Sequence, residues 1–263
     1  MKAMKYFIVD AFTDELFKGN PAGVCLPDVW PGDEVMQNIA FENNFSETAF
    51  VVKNKDHYDL RWFTPEVEID LCGHATLASA FVISNFVDTE ARVLRFATMS
   101  GILTVTRTED IYEMDFPARK PVRIEATEQM SLAIGAPVLE AYKSRDHLLL
   151  LEDECQVRDL TPDFELLKKL PDCFAVIVTA RGDKTDFVSR FFGPGAGVPE
   201  DPVTGSANCT LIPFWAEWLG KDKLTAMQLS RRGGTLYCEN LGDRVKIAGR
   251  AALYLKGEIF IDA

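Results

Sequence analysis

Two stretches of the chain lack the polar stripe that a surface helix carries. Ala75 to Phe86 is nearly all apolar or small (Ala75, Leu77, Ala78, Ala80, Phe81, Val82, Ile83), and Ala207 to Leu219 is a second apolar helical run. Such helices belong inside a sheet, not on its surface. The runs before each of them are β-type. Tyr6 to Phe12, Val24 to Leu26, Ala49 to Val52 and Tyr58 to Phe63 read as strands, with one helix spaced by Val35, Met36, Ile39 and Ala40 and stopped at Asn43-Asn44. After the first apolar helix come Val93 to Ala97, Gly101 to Thr106 and Ile111 to Phe116, a meander of three strands.

The same order then returns. Val138 to Tyr142 and His147 to Leu151 are strand-like, a helix is expected after Thr161-Pro162, and strands follow at Phe174 to Val178 and Phe187 to Phe192. Leu224 to Ser230, Gly234 to Cys238 and Arg244 to Ala248 close the second series as another meander. Arg61-Trp62-Phe63 lies 12 residues before Gly73, and Arg190-Phe191-Phe192 lies 15 before Gly205. A duplication of roughly 120 residues accounts for both series. The proline-flanked basic run 117–123 marks the joint, so the expected halves are 1–118 and 119–263.

The 263 residues, 47% of them hydrophobic, suffice for a sizeable core. Lys and Arg number 28 against 40 Asp and Glu, giving 28 − 40 = −12 with no basic cluster, which disfavours nucleic acid or an anionic membrane as partner. No apolar run approaches the ~20 residues of a membrane span, and residues 1–5 lead straight into a strand without a signal h-region, so a cytoplasmic location is expected. The six cysteines (25, 72, 155, 173, 209, 238) contain no CxxC pair and there are only three histidines, which argues against structural zinc and a disulfide scaffold. No phosphate loop or dinucleotide fingerprint is present.

Candidate chemistry gathers where each apolar helix begins. Gly73 and Gly205 let backbone come close to a ligand, and the first-turn N–H groups after them are donors at the positive end of a helix dipole, suited to a carboxylate. Either loop taken alone reads as an ordinary turn and cap; their occurrence in duplicate favours the anion-holding reading. Glu47, among Phe45, Ala49, Phe50 and Val51, is expected to be partly desolvated, a condition that moves a carboxylate toward neutral pH and fits it for general acid/base work; a helix-capping role is the alternative. Its counterpart in the second series falls near Cys173-Phe174-Ala175, so any chemistry at Glu47 is asymmetric. His74 and Asp201, one in each loop, are candidate hydrogen-bonding or secondary proton-transfer groups. Cys72 precedes a helix N-terminus, where a thiol is activated, but Thr204 stands at its counterpart. His57 and His147 are left as surface residues.

These pieces resemble the PhzF family, the phenazine biosynthesis-like proteins related in fold to diaminopimelate epimerase. The resemblance is carried nearly end to end by Asp10-Ala11-Phe12-Thr13, Gly19-Asn20-Pro21-Ala22-Gly23-Val24, Phe45-Ser46-Glu47-Thr48-Ala49-Phe50, Cys72-Gly73-His74-Ala75-Thr76 and Asp201-Pro202-Val203-Thr204-Gly205-Ser206-Ala207. It implies an α+β fold of two similar halves, each a sheet wrapped around a central helix, with the active site in the cleft between them and a homodimer as the usual assembly. It further implies proton movement on a dihydro-hydroxyanthranilate-like carboxylate without metal or organic cofactor. Carried over, Glu47 moves the proton, with His74, Asp201 and Ser206 around the substrate. Gly73 and Gly205 hold the carboxylate, and Asn20 and Ser46 add polar contacts. Related epimerases use two cysteines, which Thr204 puts in doubt here. An epimerase using Cys72 and a non-catalytic binding protein are the alternatives.

Overall fold

The structure is a computed structural model that describes residues 2–261. By contact the chain divides into a first unit, Met1–Asp115 together with Ala248–Ala263, and a second unit, Phe116–Ile247. No helix among the described residues is long and apolar enough to cross a membrane.

The first unit runs β1 (Lys2–Ala11), β2 (Asn20–Leu26), α1 (Asp33–Asn43), β3 (Thr48–Lys53), β4 (Tyr58–Phe63), β5 (Glu68–Ile69), α2 (Gly73–Phe86), β6 (Val93–Thr98), β7 (Gly101–Thr108) and β8 (Ile111–Pro117). β1 pairs antiparallel with β2, β2 parallel with β3, β3 antiparallel with β4, and β4 parallel with β6. Helix α2 lies against β1, β2 and β3 and is buried without a break from His74 to Ala80. That is the reason its sequence carries no polar face.

The second unit contains β9 (Val122–Ile124), α3 (Glu128–Ile134), β10 (Glu140–Lys143), β11 (His147–Leu150), α4 (Glu154–Arg158), α5 (Phe164–Leu167), β12 (Val176–Arg181), β13 (Phe187–Gly193), β14 (Val198–Asp201), α6 (Gly205–Leu219), β15 (Lys223–Gln228), β16 (Gly234–Asn240) and β17 (Arg244–Gly249). Its pairings repeat those of the first unit: β10 antiparallel to β11, β11 parallel to β12, β12 antiparallel to β13, β13 parallel to β15. Helix α6 packs on β15 and β16 and is buried from Ala207 to Ala216. The second core gathers Met130, Ile134, Leu149, Val178 and Phe192.

The last strand, β18 (Ala251–Ile261), pairs antiparallel along β1 from Lys2↔Ile261 to Ala11↔Ala251. It stands to β1 as β9 stands to β10. A division at residue 118 leaves these final residues with the second half, whereas their pairing is with the first strand of the chain. The joint expected at 117–123 is built into structure as well: Ala118 N–H donates to Asp243 O at 2.9 Å and Arg119 N–H to Cys209 O at 2.8 Å, and β9 begins at Val122.

Strand register makes the duplication residue-specific. Gly23 faces Thr48 where His147 faces Val176, and Thr48 faces Phe63 where Val176 faces Phe192. So Arg61 and Arg190 correspond, and each forms a two-pronged bond to a glutamate. Arg61 reaches Glu68 through Nε and Nη2 at 2.6 and 2.6 Å. Arg190 reaches Glu200 at 2.7 and 3.0 Å. Each guanidinium also lies over a ring two residues on, Phe63 at 5.2 Å and Phe192 at 4.9 Å. Ser100 Oγ donates to Asp70 O at 2.9 Å and Ser230 Oγ to Pro202 O at 2.8 Å, so both loops entering the apolar helices are tied down alike.

Candidate active site

In the first unit three separated segments bring polar side chains together. Asn20 opens β2, entirely buried. Gly19 before it has φ +63, and a Cβ there would meet Ala11 O at 2.2 Å, so only glycine lets the chain turn into Asn20. Glu47 sits in the short connection between α1 and β3. Asn44 caps α1 in the left-handed conformation, its N–H on Ala40 O at 3.1 Å, and Asn43 Nδ2 donates to Thr48 Oγ1 at 3.1 Å. Cys72 and His74 flank Gly73 at the start of α2.

His74 is the hub. Its Nδ1 faces Asn20 Nδ2 at 3.3 Å and Cys72 Sγ at 3.5 Å, and its Nε2 lies 3.2 Å from Glu47 Oε2. Burial pushes the imidazole pKa down from its ordinary 6.5 to about 3. A neutral ring does not form an ion pair, so the contact with Glu47 is not a salt bridge. The amide donor of Asn20 at Nδ1 assigns the ring proton to Nε2, the nitrogen beside the carboxylate. That N–H approaches Glu47 off the hydrogen-bond line. The side chains of His74 and Glu47 are 7% and 17% exposed, so the carboxylate keeps a path to solvent that the ring lacks.

The start of α2 adds donors. Thr76 N–H makes the first helical bond, to Cys72 O at 3.2 Å, and Thr76 Oγ1 doubles it. The N–H groups of Gly73, His74 and Ala75 therefore have no acceptor within the helix. Neither Gly73 nor Gly205 has positive φ, so what each offers is the missing side chain, not a special dihedral. Ser46 is half-buried beside Glu47.

The other sequence-derived candidates lie in the second unit, around the start of α6. Thr204 Oγ1 donates to the Asp201 carboxylate. Gln228, fully buried, accepts from Thr204 N–H at 2.9 Å and donates to Asp201 O at 2.7 Å. Ser206 Oγ accepts from Arg145 Nη2 at 3.3 Å, and Arg145 is held by two bonds to the buried Asp146 at 3.0 and 2.8 Å and by the ring of Phe174 at 5.1 Å. Gln228 and Arg145 escaped the sequence reading; the one signal was a glutamine ending an apolar strand.

Register places Ser144, Ala175, Thr204 and Ser206 where the first unit has Asn20, Glu47, Cys72 and His74, and Ile69 where the second has Asp201. The duplicated frame thus carries different chemistry on its two copies. Of the two histidines expected at the surface, His57 lies in its charged turn, partly exposed, and His147 does not. His147 is buried on β11, with its pKa lowered by burial. His57 is clasped by Asp56 at 2.9 Å and Asp59 at 3.0 Å, which raise its pKa. Of groups that could hold a metal ion, Glu47, Cys72 and His74 each offer a donor atom, all within 4.8 Å of one another.

A repeated α/β unit, each copy packing its sheet on a buried helix that starts in a polar loop, defines the diaminopimelate epimerase-like class of fold. A crystal structure of a hydroxyproline epimerase from Agrobacterium vitis shares it at a TM-score of 0.63 and 10% identity, over 98% of this chain and 92% of that one. Within this class the chain belongs to the PhzC-PhzF family of phenazine biosynthesis-like proteins, whose model matches residues 9–257. It is 52% identical over 255 residues to a protein of Pseudomonas aeruginosa named as an uncharacterised isomerase, covering 97% of this chain and 98% of that protein. It superposes on the crystal structure of a PhzF-family protein from Enterococcus faecalis with a TM-score of 0.97 at 51% identity, covering 99% of this chain and 100% of that one.

Proposed function

We propose that the protein is an isomerase that moves a proton on a small carboxylate-bearing, cyclic or conjugated substrate, with Glu47 as the acid/base group and no metal or organic cofactor in the step. One observation carries this reading. The carboxylate of Glu47 stands in a nearly buried cluster, 3.2 Å from a histidine that burial keeps neutral, and the equivalent position of the second unit is Ala175. One base, not two, is available from the duplicated positions.

In the proposed reaction Glu47 takes a proton from carbon beside an anion-stabilising group and returns it elsewhere on the conjugated system, as a trans-2,3-dihydro-3-hydroxyanthranilate isomerase would. The neutral His74 ring packs beside the carboxylate at 3.2 Å, and Asn20 holds that ring in the Nε2–H tautomer. The first N–H groups of α2 stabilise the negative charge that develops. By family resemblance Ser46, Gly73, Gly205 and Ser206 are assigned to substrate binding and Asp201 to secondary proton transfer. The name of the Pseudomonas aeruginosa relative agrees with an isomerase. Epimerisation by paired thiols fits less well, because Thr204 stands at the register of Cys72.

The test is incubation with conjugated cyclic amino- and hydroxy-acids in deuterated water, followed by mass spectrometry and chiral analysis. The expected result is deuterium on ring carbon with a displaced double bond. Inversion at an α-carbon would favour the epimerase, and binding without exchange a non-catalytic protein.

A further inference from the structure

Glu47, Cys72 and His74 supply a carboxylate, a thiol and an imidazole, the three donor types that zinc accepts, and among the described residues no other such group of three is found. Cys72 Sγ lies 3.5 Å from His74 Nδ1. For a tetrahedral centre with Zn–N of about 2.05 Å and Zn–S of about 2.3 Å, the N···S edge is about 3.5 Å. The thiol and the imidazole already stand at ligand spacing. Glu47 Oε2 stands 3.2 Å from the other ring nitrogen, Nε2, so to join the Nδ1 and Sγ ligands at edges of about 3.3–3.5 Å it has to swing to the Nδ1 side of the ring, a move open to a side chain with three rotatable bonds.

We infer that this cluster binds a soft divalent cation of the zinc and cadmium class through Cys72 Sγ, His74 Nδ1 and a Glu47 carboxylate oxygen, and that the bound cation inhibits the protein by occupying its proton carrier. On binding, the Cys72 thiol gives up its proton to solvent as the metal–sulfur bond forms, and no group changes oxidation state. The neutral His74 ring donates its Nδ1 lone pair, so the Asn20 amide, now 3.3 Å from that nitrogen, is displaced. The fourth position is left to water. Magnesium and calcium, which require six or more oxygen ligands, do not compete. The binding stands on geometry; the inhibition rests on the proton-transfer reading above.

Cadmium titration of the full chain, followed by thiolate-to-cadmium absorption in the ultraviolet, tests it in a Cys155→Ser background that removes the exposed thiol. The expected result is a band saturating at a single equivalent, with release of a proton, unchanged by excess magnesium and lost in Cys72→Ser. Glu47→Gln retains the thiol and lowers the affinity by more than about tenfold, since even partners outside the ligand shell are worth about 10–100-fold. No band in the parent protein, or an equal band in Cys72→Ser, would overturn the site. A saturating band with undiminished hydrogen exchange into substrate would leave the site standing and overturn Glu47 as the proton carrier.

Discussion

The duplicated Arg–Glu pairs look alike but are not expected to contribute equally, and methionine substitution separates them. Arg61→Met removes two charge-assisted bonds to Glu68 and a contact with Asp33, which is 79% exposed and contributes little. Glu68, partly exposed, can rehydrate, so the loss is about 2–3 kcal/mol. Arg190 makes the same two bonds to Glu200, and its Nη1 also donates to the carbonyls of Val157, Arg158 and Leu160 at 3.3, 3.2 and 2.9 Å. Its side chain is 11% exposed against 25% for Arg61. Arg190→Met therefore strands carbonyls as well as a carboxylate, for a loss of about 3–5 kcal/mol. Guanidinium unfolding gives the two midpoints, and hydrogen exchange by peptide assigns each loss to its unit. Equal losses, or a larger loss for Arg61→Met, would refute this account of what the pairs do.

Three further outcomes follow from the site. His74, held neutral with its pKa near 3, binds a proton on unfolding below its ordinary 6.5. Its effect on stability is therefore flat above that pH and unfavourable on acidification through the window, by at most about 1.4 kcal/mol per pH unit; His74→Gln flattens the measured slope of unfolding free energy between these values. Cys72→Ala, which leaves Glu47 and His74 in place, changes exchange by less than about tenfold, well under the 10²–10⁴ expected of an acid/base group, in a deuterium-incorporation assay. Gly19→Ala, where a Cβ would strike Ala11 O, displaces Asn20; thermal unfolding should show it destabilised by more than the ~1 kcal/mol of an ordinary glycine substitution.

The apolar runs at 75–86 and 207–219 announced both central helices because a helix buried all round has no polar face to disguise it. The partial burial of Glu47, 17% exposed, was legible for a similar local reason, a lone carboxylate among aromatic and β-branched neighbours. The return of β18 to β1 was not legible, since its partner is more than two hundred residues away and half its side chains are exposed. Short α3 was missed although Thr127 caps it and Gly135 closes it; seven residues give too few periods to stand out. His147 resembled a surface residue because the charges at 143–146 precede it, but β12 covers its strand. Arg61 and Arg190 were visible as a repeat, while the glutamates that hold them sit at unequal spacing, the extra residues lying in the 193–197 loop.

The central claim is that one carboxylate, Glu47, carries the proton. Glu47→Gln keeps the size of the side chain and its contact with His74 while removing its basicity. Single-turnover deuterium incorporation in this variant, with substrate binding measured alongside, should fall by about 10²–10⁴-fold with binding retained. Incorporation at the parent rate with unchanged binding would contradict the claim and move the search for the base elsewhere in the molecule.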